Sequence, residues 1–477
     1  MFILSDDQGA WALGAAGNNE IITPNLDALA AGGVMFNNFF CASPVCSPAR
    51  ASILTGTIPS VHGVHDWLRG GNLSREQISG LTEHPDYGAF SDEHAAIDYL
   101  RDFTLYTDIL SDNGYDCALS GKWHLGDSMR PRRGYRRWFT IGRGGCEYFN
   151  ADAVSNGEIY YEKKYITDAI TDNALAFLDD FSKQDAPFYL GVHYTSPHSP
   201  WDEKNHQQKY LDMYRGCGFE TVPDVPRHPW ASDTAPRGSG EERRELLRGY
   251  FAAVTAMDNN IGRIINKLSK TGRLGDTLII FTSDNGMNMG HHGIWGKGNG
   301  TFPLNMYDTS VKVPFVASHQ DKLPHAVRND LTSHIDIFPT LMEYLGIEYE
   351  TRTGLIGKSF AGALRGEKGE PNEYVAVFDE YGPVRMIRDK KWKYIHRYPY
   401  GPNELYDLNA DPGEEANLAG DIKYIDVWER MKNELDRYYA RYADPRADGT
   451  KEAVSGLGQL RRSGIWSDGK ETYKKPK

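Results

Sequence analysis

Short apolar runs recur along this chain, each joined to a helical pattern, and that alternation restricts the fold more than any other feature. Phe2 to Leu4 reads as a buried strand, and Thr23-Pro24 opens a capped helix carrying Leu26, Leu29 and Ala30 that Gly32-Gly33 ends. The same grammar returns three times. A helix over Thr104 to Asn113, stopped by Gly114, precedes a strand over Tyr115 to Ser120; an amphipathic helix over Ile166 to Phe181 precedes Phe188 to Val192; a long helical stretch over Glu241 to Lys270 precedes Thr277 to Thr282. The last run contains Leu278-Ile279-Ile280-Phe281, apolar on both faces as a central parallel strand must be. Strands alternating with helices imply an α/β fold around a mostly parallel or mixed sheet flanked by helices.

The pattern changes after a helical segment over Ser333 to Leu345 and a Gly-rich stretch to Gly369. Tyr374 to Phe378, Val384 to Ile387 and Trp392 to His396 read as an antiparallel meander, with Val427 to Tyr442 as its covering helix. A length of 477 residues exceeds one average domain. We therefore expect a large N-terminal domain over residues 1–368 and a smaller α+β unit over residues 369–477. Asp66 to His94 and Ser199 to Gly240 show no sustained period, and aperiodic loops of that length tend to be functional, so both read as substrate-facing insertions. The polar tail from Lys451 reads as loosely held.

The formal net charge of -12 argues against nucleic acid as a partner, and any anionic ligand must meet a locally basic pocket. Five cysteines, few and odd in number, exclude a disulfide-built scaffold, leave at least one thiol unpaired and still allow one bridge. No apolar run is long enough to span a bilayer. The chain opens directly on a strand, Met1-Phe2-Ile3-Leu4-Ser5, as it would if an export segment had been removed. A periplasmic or extracellular location is the expectation, with the cytoplasm as the alternative.

In open α/β sheets ligands gather beyond the carboxyl ends of the strands. Asp6-Asp7 follows the first strand here, Lys122 and His124 follow the Tyr115 strand, His198 lies past the Phe188 strand, and Asp284-Asn285 follows Phe281. Each Asp alone reads equally well as a helix cap. Together, three carboxylates and an amide with no Cys-His cluster at zinc spacing make an all-oxygen set for a hard cation, calcium or magnesium. Cys46-Ser47-Pro48-Ala49-Arg50 continues into Ala51-Ser52-Ile53-Leu54-Thr55-Gly56, which puts Cys46 at a helix N-terminus and Arg50 about a turn further on. A lone Cys in that setting is ordinarily a small buried residue.

Cys-x-Pro-x-Arg followed by Leu-Thr-Gly resembles the signature of the sulfatase family, within the alkaline phosphatase superfamily, whose cysteine is oxidised to Cα-formylglycine. Asp6-Asp7-Gln8, Gly121-Lys122-Trp123-His124-Leu125-Gly126, Ser196-Pro197-His198-Ser199-Pro200, Thr282-Ser283-Asp284-Asn285-Gly286, Gly296-Lys297-Gly298, Val313-Pro314, Ile335 to Thr340 and Leu405-Tyr406-Asp407-Leu408 follow in family order. The resemblance implies an alkaline phosphatase-like fold and a catalytic set of Cys46, Arg50, Lys122, His124, His198 and Lys297. It further implies a cation, calcium first and magnesium second, held by Asp6, Asp7, Asp284, Asn285 and residue 46, and a formylglycine-generating maturation enzyme as a partner. By the same resemblance a hydroxyl of the hydrated aldehyde attacks sulfur, with Asp284 as a candidate acceptor of its proton. His198 acts as acid for the leaving alcohol with Lys297 assisting, and His124 as the base that releases sulfate. Arg50 and Lys122 hold the diol. Taken singly, Lys122, His124 and Lys297 read as surface or ion-pair residues; it is their joint order that selects the catalytic reading.

The expected substrate is an O-sulfated carbohydrate attacked by an exo-acting enzyme. His62, His65, His291 and His292 lie in loops near the signatures, and Trp67, Arg69, Trp201 and Trp230 lie in the insertions, where aromatic platforms and a basic group suit a sugar. Structural hydrogen bonding suits the histidines equally well, and ordinary loop packing suits the rest. Two rivals stand beside this reading: a phosphodiesterase or phosphonate monoester hydrolase of the same superfamily, and a non-catalytic protein that binds sulfated glycans. Asn285 speaks against the first, because an amide makes the metal shell less negative and suits a singly charged sulfate ester.

Overall fold

The computed structural model describes residues 1–79, 87–350, 355–369, 372–378 and 384–475. Residues 80–86 of the first insertion and Pro476-Lys477 of the tail lie outside them. A ten-stranded sheet runs in the order Ala326–Arg328, Val34–Phe36, Phe315–Ser318, Ile279–Ser283, Phe2–Ser5, Phe188–His193, Asp116–Gly121, Tyr135–Ile141, Ala151–Ser155 and Glu158–Glu162. The five strands from Ile279–Ser283 to Tyr135–Ile141 are parallel, and antiparallel pairings appear toward both edges. Every strand expected of this sheet is present, with ends shifted by a residue or two. The others escape a periodicity reading because they are too short, as with Val34–Phe36, or mix charge with apolar residues, as with Tyr135–Ile141.

Alternating side chains on the central strands feed two cores. Phe2 and Leu4 pack on one side with Ile53 and Leu54 of the Cys46–Thr55 helix and Leu341 of Ile337–Leu345. Ile3 packs on the other with Leu26, Ile170 and Tyr250, from the helices Pro24–Ala31, Ile166–Phe181 and Gly240–Lys270. Helices on both faces are what a parallel sheet requires, because neither face of its strands can meet water.

A second, four-stranded antiparallel sheet joins Val375–Val377, Val384–Arg388, Trp392–Arg397 and Glu404–Asp407. The last strand adds to the three expected. Helix Ile425–Tyr442 buries Met431, Leu435 and Tyr439 against Ala376, Ile387, Tyr394 and Leu405, as anticipated for a covering helix. Buried Lys393 and Arg388 of this sheet both reach Asp308, at 3.0 and 2.8 Å, which ties it to the larger sheet's side of the molecule. All five cysteines are free. No helix among the described residues is long and apolar enough to cross a membrane.

The tail corrects the sequence reading, since it is not loose. The buried Gln459 side chain accepts from the His65 and Asp66 N–H groups at 2.9 and 3.3 Å, and donates to the Gly63 and Arg461 carbonyls at 3.0 and 2.9 Å. Asp66 in turn accepts from Gly456 and Gly458, each at 3.1 Å. Polar composition misled because these groups satisfy one another across nearly the whole chain length. Truncating Gln459 to Ala orphans buried backbone groups, so Gln459→Ala is expected to destabilise by about 2 kcal/mol, read as a lower thermal midpoint; an unchanged midpoint contradicts a docked tail.

Burial pushes the Asp66 carboxyl up to about 7 against the pull of its backbone donors from Gly458, Trp67 and Gly456. A folded value above the unfolded one makes this group's stabilisation full at low pH and lost as pH rises through about 7. Asp66→Asn, which keeps an acceptor, should therefore flatten the fall in thermal midpoint between about pH 4 and pH 7. An identical slope in both proteins would contradict this assignment.

Candidate functional site

Strand Phe2–Ser5 delivers Asp6 and Asp7, and its neighbour Ile279–Ser283, in register with Ser5 opposite Ser283, delivers Asp284 and Asn285 beside them. The segments are stitched where they leave the sheet: Asp284 N–H donates to the Ser5 carbonyl and Asp7 N–H to Asp284 Oδ1, both at 3.1 Å. Carboxylate oxygens of Asp6, Asp7 and Asp284 lie within 4.8 Å of one another, and all three residues are buried. Such a cluster requires countercharge.

Three cations supply it. Lys122 Nζ lies 2.6 Å from Asp6 Oδ2, and Lys297 Nζ lies 2.6 Å from Asp7 Oδ1. Arg50 clasps Asp284 Oδ2 through Nε at 3.0 Å and Nη2 at 2.8 Å, while its Nη1 donates to the Lys122 carbonyl at 3.0 Å. The balance is uneven. Burial and the nearby Asp284 carboxylate hold the Asp6 carboxyl above its ordinary range despite Lys122. Burial also raises Asp7 and Asp284, but Lys297 and His198 win at Asp7, and Arg50 and Lys122 win at Asp284, so both stay low.

The set fits a hard divalent cation. Asp6 Oδ1 is buried and accepts no hydrogen bond among the described residues, and oxygens of three carboxylates converge beside the Asn285 amide, whose Nδ2 donates to Asp7 Oδ1 at 2.8 Å. Oxygen donors of this kind select calcium or magnesium over softer metals.

Cys46 stands where its spacing placed it, as the first residue of helix Cys46–Thr55. Lys297 Nζ reaches its Sγ at 3.3 Å, and the sulfur is within 4.8 Å of ligand atoms of Asp6 and His198. Burial pushes the Cys46 thiol up, with Lys122 and Lys297 opposing, so the pocket does not prepare a thiolate. His198 donates from Nδ1 to the Ser199 carbonyl at 2.7 Å and presents Nε2 3.6 Å from Asp7 Oδ2. His124 is buried and neutral, held well below its usual value by desolvation and by Lys122 and Arg50. Its Nε2 donates to the Leu68 carbonyl at 3.0 Å, which fixes the tautomer and leaves the Nδ1 lone pair available as a base. Asp7 and His124 both adopt left-handed backbone, φ 61° and 53°.

The candidate sugar contacts fare differently. Trp201 lines a cleft of about 460 Å³ that opens on Asp7, His198 and Lys297. The cleft's lining comes wholly from residues 7–300, with the Ser199–Gly240 insertion forming one wall and no residue from the C-terminal sheet. None of the other candidates lines it. His62 is buried behind the Cys46 helix, bonded to Ser52 Oγ at 3.1 Å and to the Val64 N–H. His65 is buried under the tail; Trp67 donates to the Gly456 carbonyl; Arg69 pairs with Asp92. His291 packs on Trp11, His292 stacks on Tyr307 with ring centroids 3.8 Å apart, and Trp230 lies under Arg397.

Sequence reasoning missed several supports. Leu68 holds His124 by its carbonyl and Ser47 Oγ by its N–H, and backbone groups leave no trace in a sequence. A Cβ on Gly144 would stand 2.0 Å from His124 Nε2, so only glycine allows that approach; the Gly-Arg-Gly-Gly run at 142–145 was the available signal. Buried His193 and His334 bond the carbonyls of Lys122 and Ser283 from beneath, and His193, at a strand's carboxyl end, met the positional criterion used for the others.

Comparison with known proteins agrees with this geometry. The sulfatase family profile matches residues 1–347, and that of the C-terminal region of N-sulphoglucosamine sulphohydrolase matches residues 290–441. An ulvan-active sulfatase of Formosa agariphila is 29% identical over 91% of this chain and 79% of its own, and an N-acetylglucosamine-6-O-sulfatase of Bacteroides thetaiotaomicron is 26% identical over 97% and 89%. A structure solved in complex with its substrate D-glucosamine-2-N,6-O-disulfate shares the fold, with a TM-score of 0.75, 23% identity and coverage of 94% of this chain and 99% of that one. So does a phosphonate monoester hydrolase of Agrobacterium radiobacter, with a TM-score of 0.69 at 22% identity over 92% and 95%. With the family profile covering most of its length, the chain belongs to the sulfatase family and is a sulfuric ester hydrolase.

Proposed function

We propose that the protein removes sulfate from an O-sulfated carbohydrate as an exo-acting enzyme, with Cys46 converted to Cα-formylglycine. The observation that carries this reading is the position of Cys46: its sulfur touches Lys297 and lies beside Asp6 and His198, and Lys297 and His198 themselves line a cleft large enough for a sugar. Hydration of the aldehyde would supply one hydroxyl to displace the alcohol at sulfur and a second whose collapse expels sulfate by C–O cleavage. Asp6, Asp7, Asp284 and Asn285 would hold calcium, or magnesium in its place, whose charge draws on the sulfuryl oxygens.

The chain's own residues take the remaining roles. Arg50 and Lys122 hold the attacking group and balance the anion, and Asp284 accepts its proton. His198 Nε2, at the mouth of the site, donates a proton to the departing alcohol oxygen, with Lys297 beside it. His124 Nδ1 takes the proton that frees sulfate. Because all these groups come from residues 6–297, we assign residues 1–368 as the catalytic unit and 369–477 as an accessory one. An exported location and a formylglycine-generating enzyme as maturation partner belong to the same reading.

The carbohydrate assignment draws support from relatives named for ulvan and N-acetylglucosamine 6-sulfate, from the solved neighbour bound to a glucosamine disulfate, and from Trp201 in the cleft wall. The likeness to a phosphonate monoester hydrolase supports a second reading on the same fold, against which Asn285 argues.

Mass spectrometry of the peptide carrying residue 46, from protein made together with a maturation enzyme, should show the mass of formylglycine, and Cys46→Ala should lower turnover at least about a thousandfold. Turnover should favour a sulfate ester over a matched phosphate diester; the reverse preference would establish the second reading. Calorimetry with calcium and magnesium on unconverted protein should show Asp6→Asn and Asp284→Asn weakening the cation by more than about tenfold. Unchanged affinity would remove both residues from the ligand set.

A further inference from the structure

The Ser199–Gly240 insertion borders a second cavity, of about 780 Å³, on the far side of one wall of the cleft. Trp295 belongs to both linings; Ser232, Thr234 and Pro236 face the cleft, while Asp233, Arg237 and Gly238 face the cavity. The wall is thin and firm. Gly238 lies so close to the Trp295 indole that a Cβ there would stand 1.9 Å from the ring, and its N–H donates to Glu242 Oε2 at 3.0 Å.

Three arginines and two aspartates give this cavity a surplus of positive charge, in a chain whose net charge is -12. Arg243 is committed to the Val222 carbonyl at 2.8 Å, with Asp224 at 3.7 Å, and Arg227 to the Ser232 carbonyl at 2.6 Å, with Asp233 at 3.9 Å. Arg237 is different: it is exposed, and makes no ion pair or side-chain hydrogen bond among the described residues. Its neighbour in sequence, Pro236, lines the cleft. Arg237 thus follows directly in the chain on a residue of the cleft lining, while its guanidinium faces the adjoining cavity with its five donors uncommitted.

We propose that this cavity is a second anion-binding subsite, in which Arg237 holds a sulfate or carboxylate on the sugar next to the one that loses its sulfate. The inference rests on the carbohydrate reading above and sharpens it: the preferred substrate is an oligosaccharide carrying at least two anionic groups. A planar guanidinium matches either group in a two-point hydrogen bond, and Asp233 and Asp224, already facing Arg227 and Arg243, do not cancel it.

The test compares wild type with Arg237→Ala on a sulfated monosaccharide and on sulfated disaccharides whose neighbouring sugar carries a sulfate, a carboxylate or neither. KM should rise about tenfold for Arg237→Ala on the doubly anionic substrates, with kcat unchanged and KM on the other two unaltered. Arg237→Lys should recover part of the loss, and the sulfate and carboxylate arms tell which group the subsite takes. An equal KM for both proteins on every substrate, or an equal loss on the monosaccharide, overturns the proposal. Calorimetry with unconverted protein and the same sugars gives this comparison as affinities, so the subsite is tested independently of turnover. Wild-type inactivity on every sulfate would count against the sulfatase reading instead.

Discussion

Carboxylates packed within 4.8 Å in a desolvated site repel one another, and the molecule meets that repulsion with cations brought from three different elements. Arg50 comes from the helix that begins at Cys46, Lys122 from the end of a strand two places away from Asp6 in the sheet, and Lys297 from the loop that follows Trp295. Each settles on a different aspartate. Removing any one would leave an uncompensated buried charge, which costs far more than the pair itself contributes. The parallel register that sets Ser5 opposite Ser283 is thus an electrostatic necessity as much as a packing one.

That arrangement also explains how a single pocket can suit an anion. The ammonium groups of Lys122 and Lys297, which neutralise aspartates here, are the same groups that serve a sulfuryl oxyanion in the proposed reaction once a divalent cation shares the carboxylates. Around them stands a layer with no net charge to offer but much geometry. Leu68 bonds His124 and Ser47, Gly144 lets the chain lie on His124, and the docked tail holds the loop from His65 to Gly70 by backbone hydrogen bonds to Gln459. Distant parts of the chain therefore converge on the positioning of His124.

Much of this was legible in the residues. Central parallel strands announce themselves because both faces are buried, and the charged residues just beyond their ends are conspicuous for being polar after an apolar run. Edge strands such as Glu158–Glu162, half exposed and flanked by turns, carry no such mark. His62 and His65 suit substrate contact and structural hydrogen bonding equally in the sequence, because neighbourhood to the Cys46 helix does not say which side of it a loop will cover; the structure puts them behind it and under the tail. The tail itself was misjudged because polar composition predicts looseness only when the polar groups have no partners. Gln459 finds four.

The central claim is that residue 46 forms the floor of a cationic hollow that takes a divalent cation and a tetrahedral oxyanion side by side. A crystal structure of the protein grown with calcium and inorganic sulfate tests it most directly. The account predicts calcium on Asp6, Asp7, Asp284 and Asn285, with sulfate against residue 46 within reach of Lys122, Lys297 and His198. Calcium bound elsewhere, or sulfate settling away from residue 46 while these side chains remain paired only with one another, would contradict it.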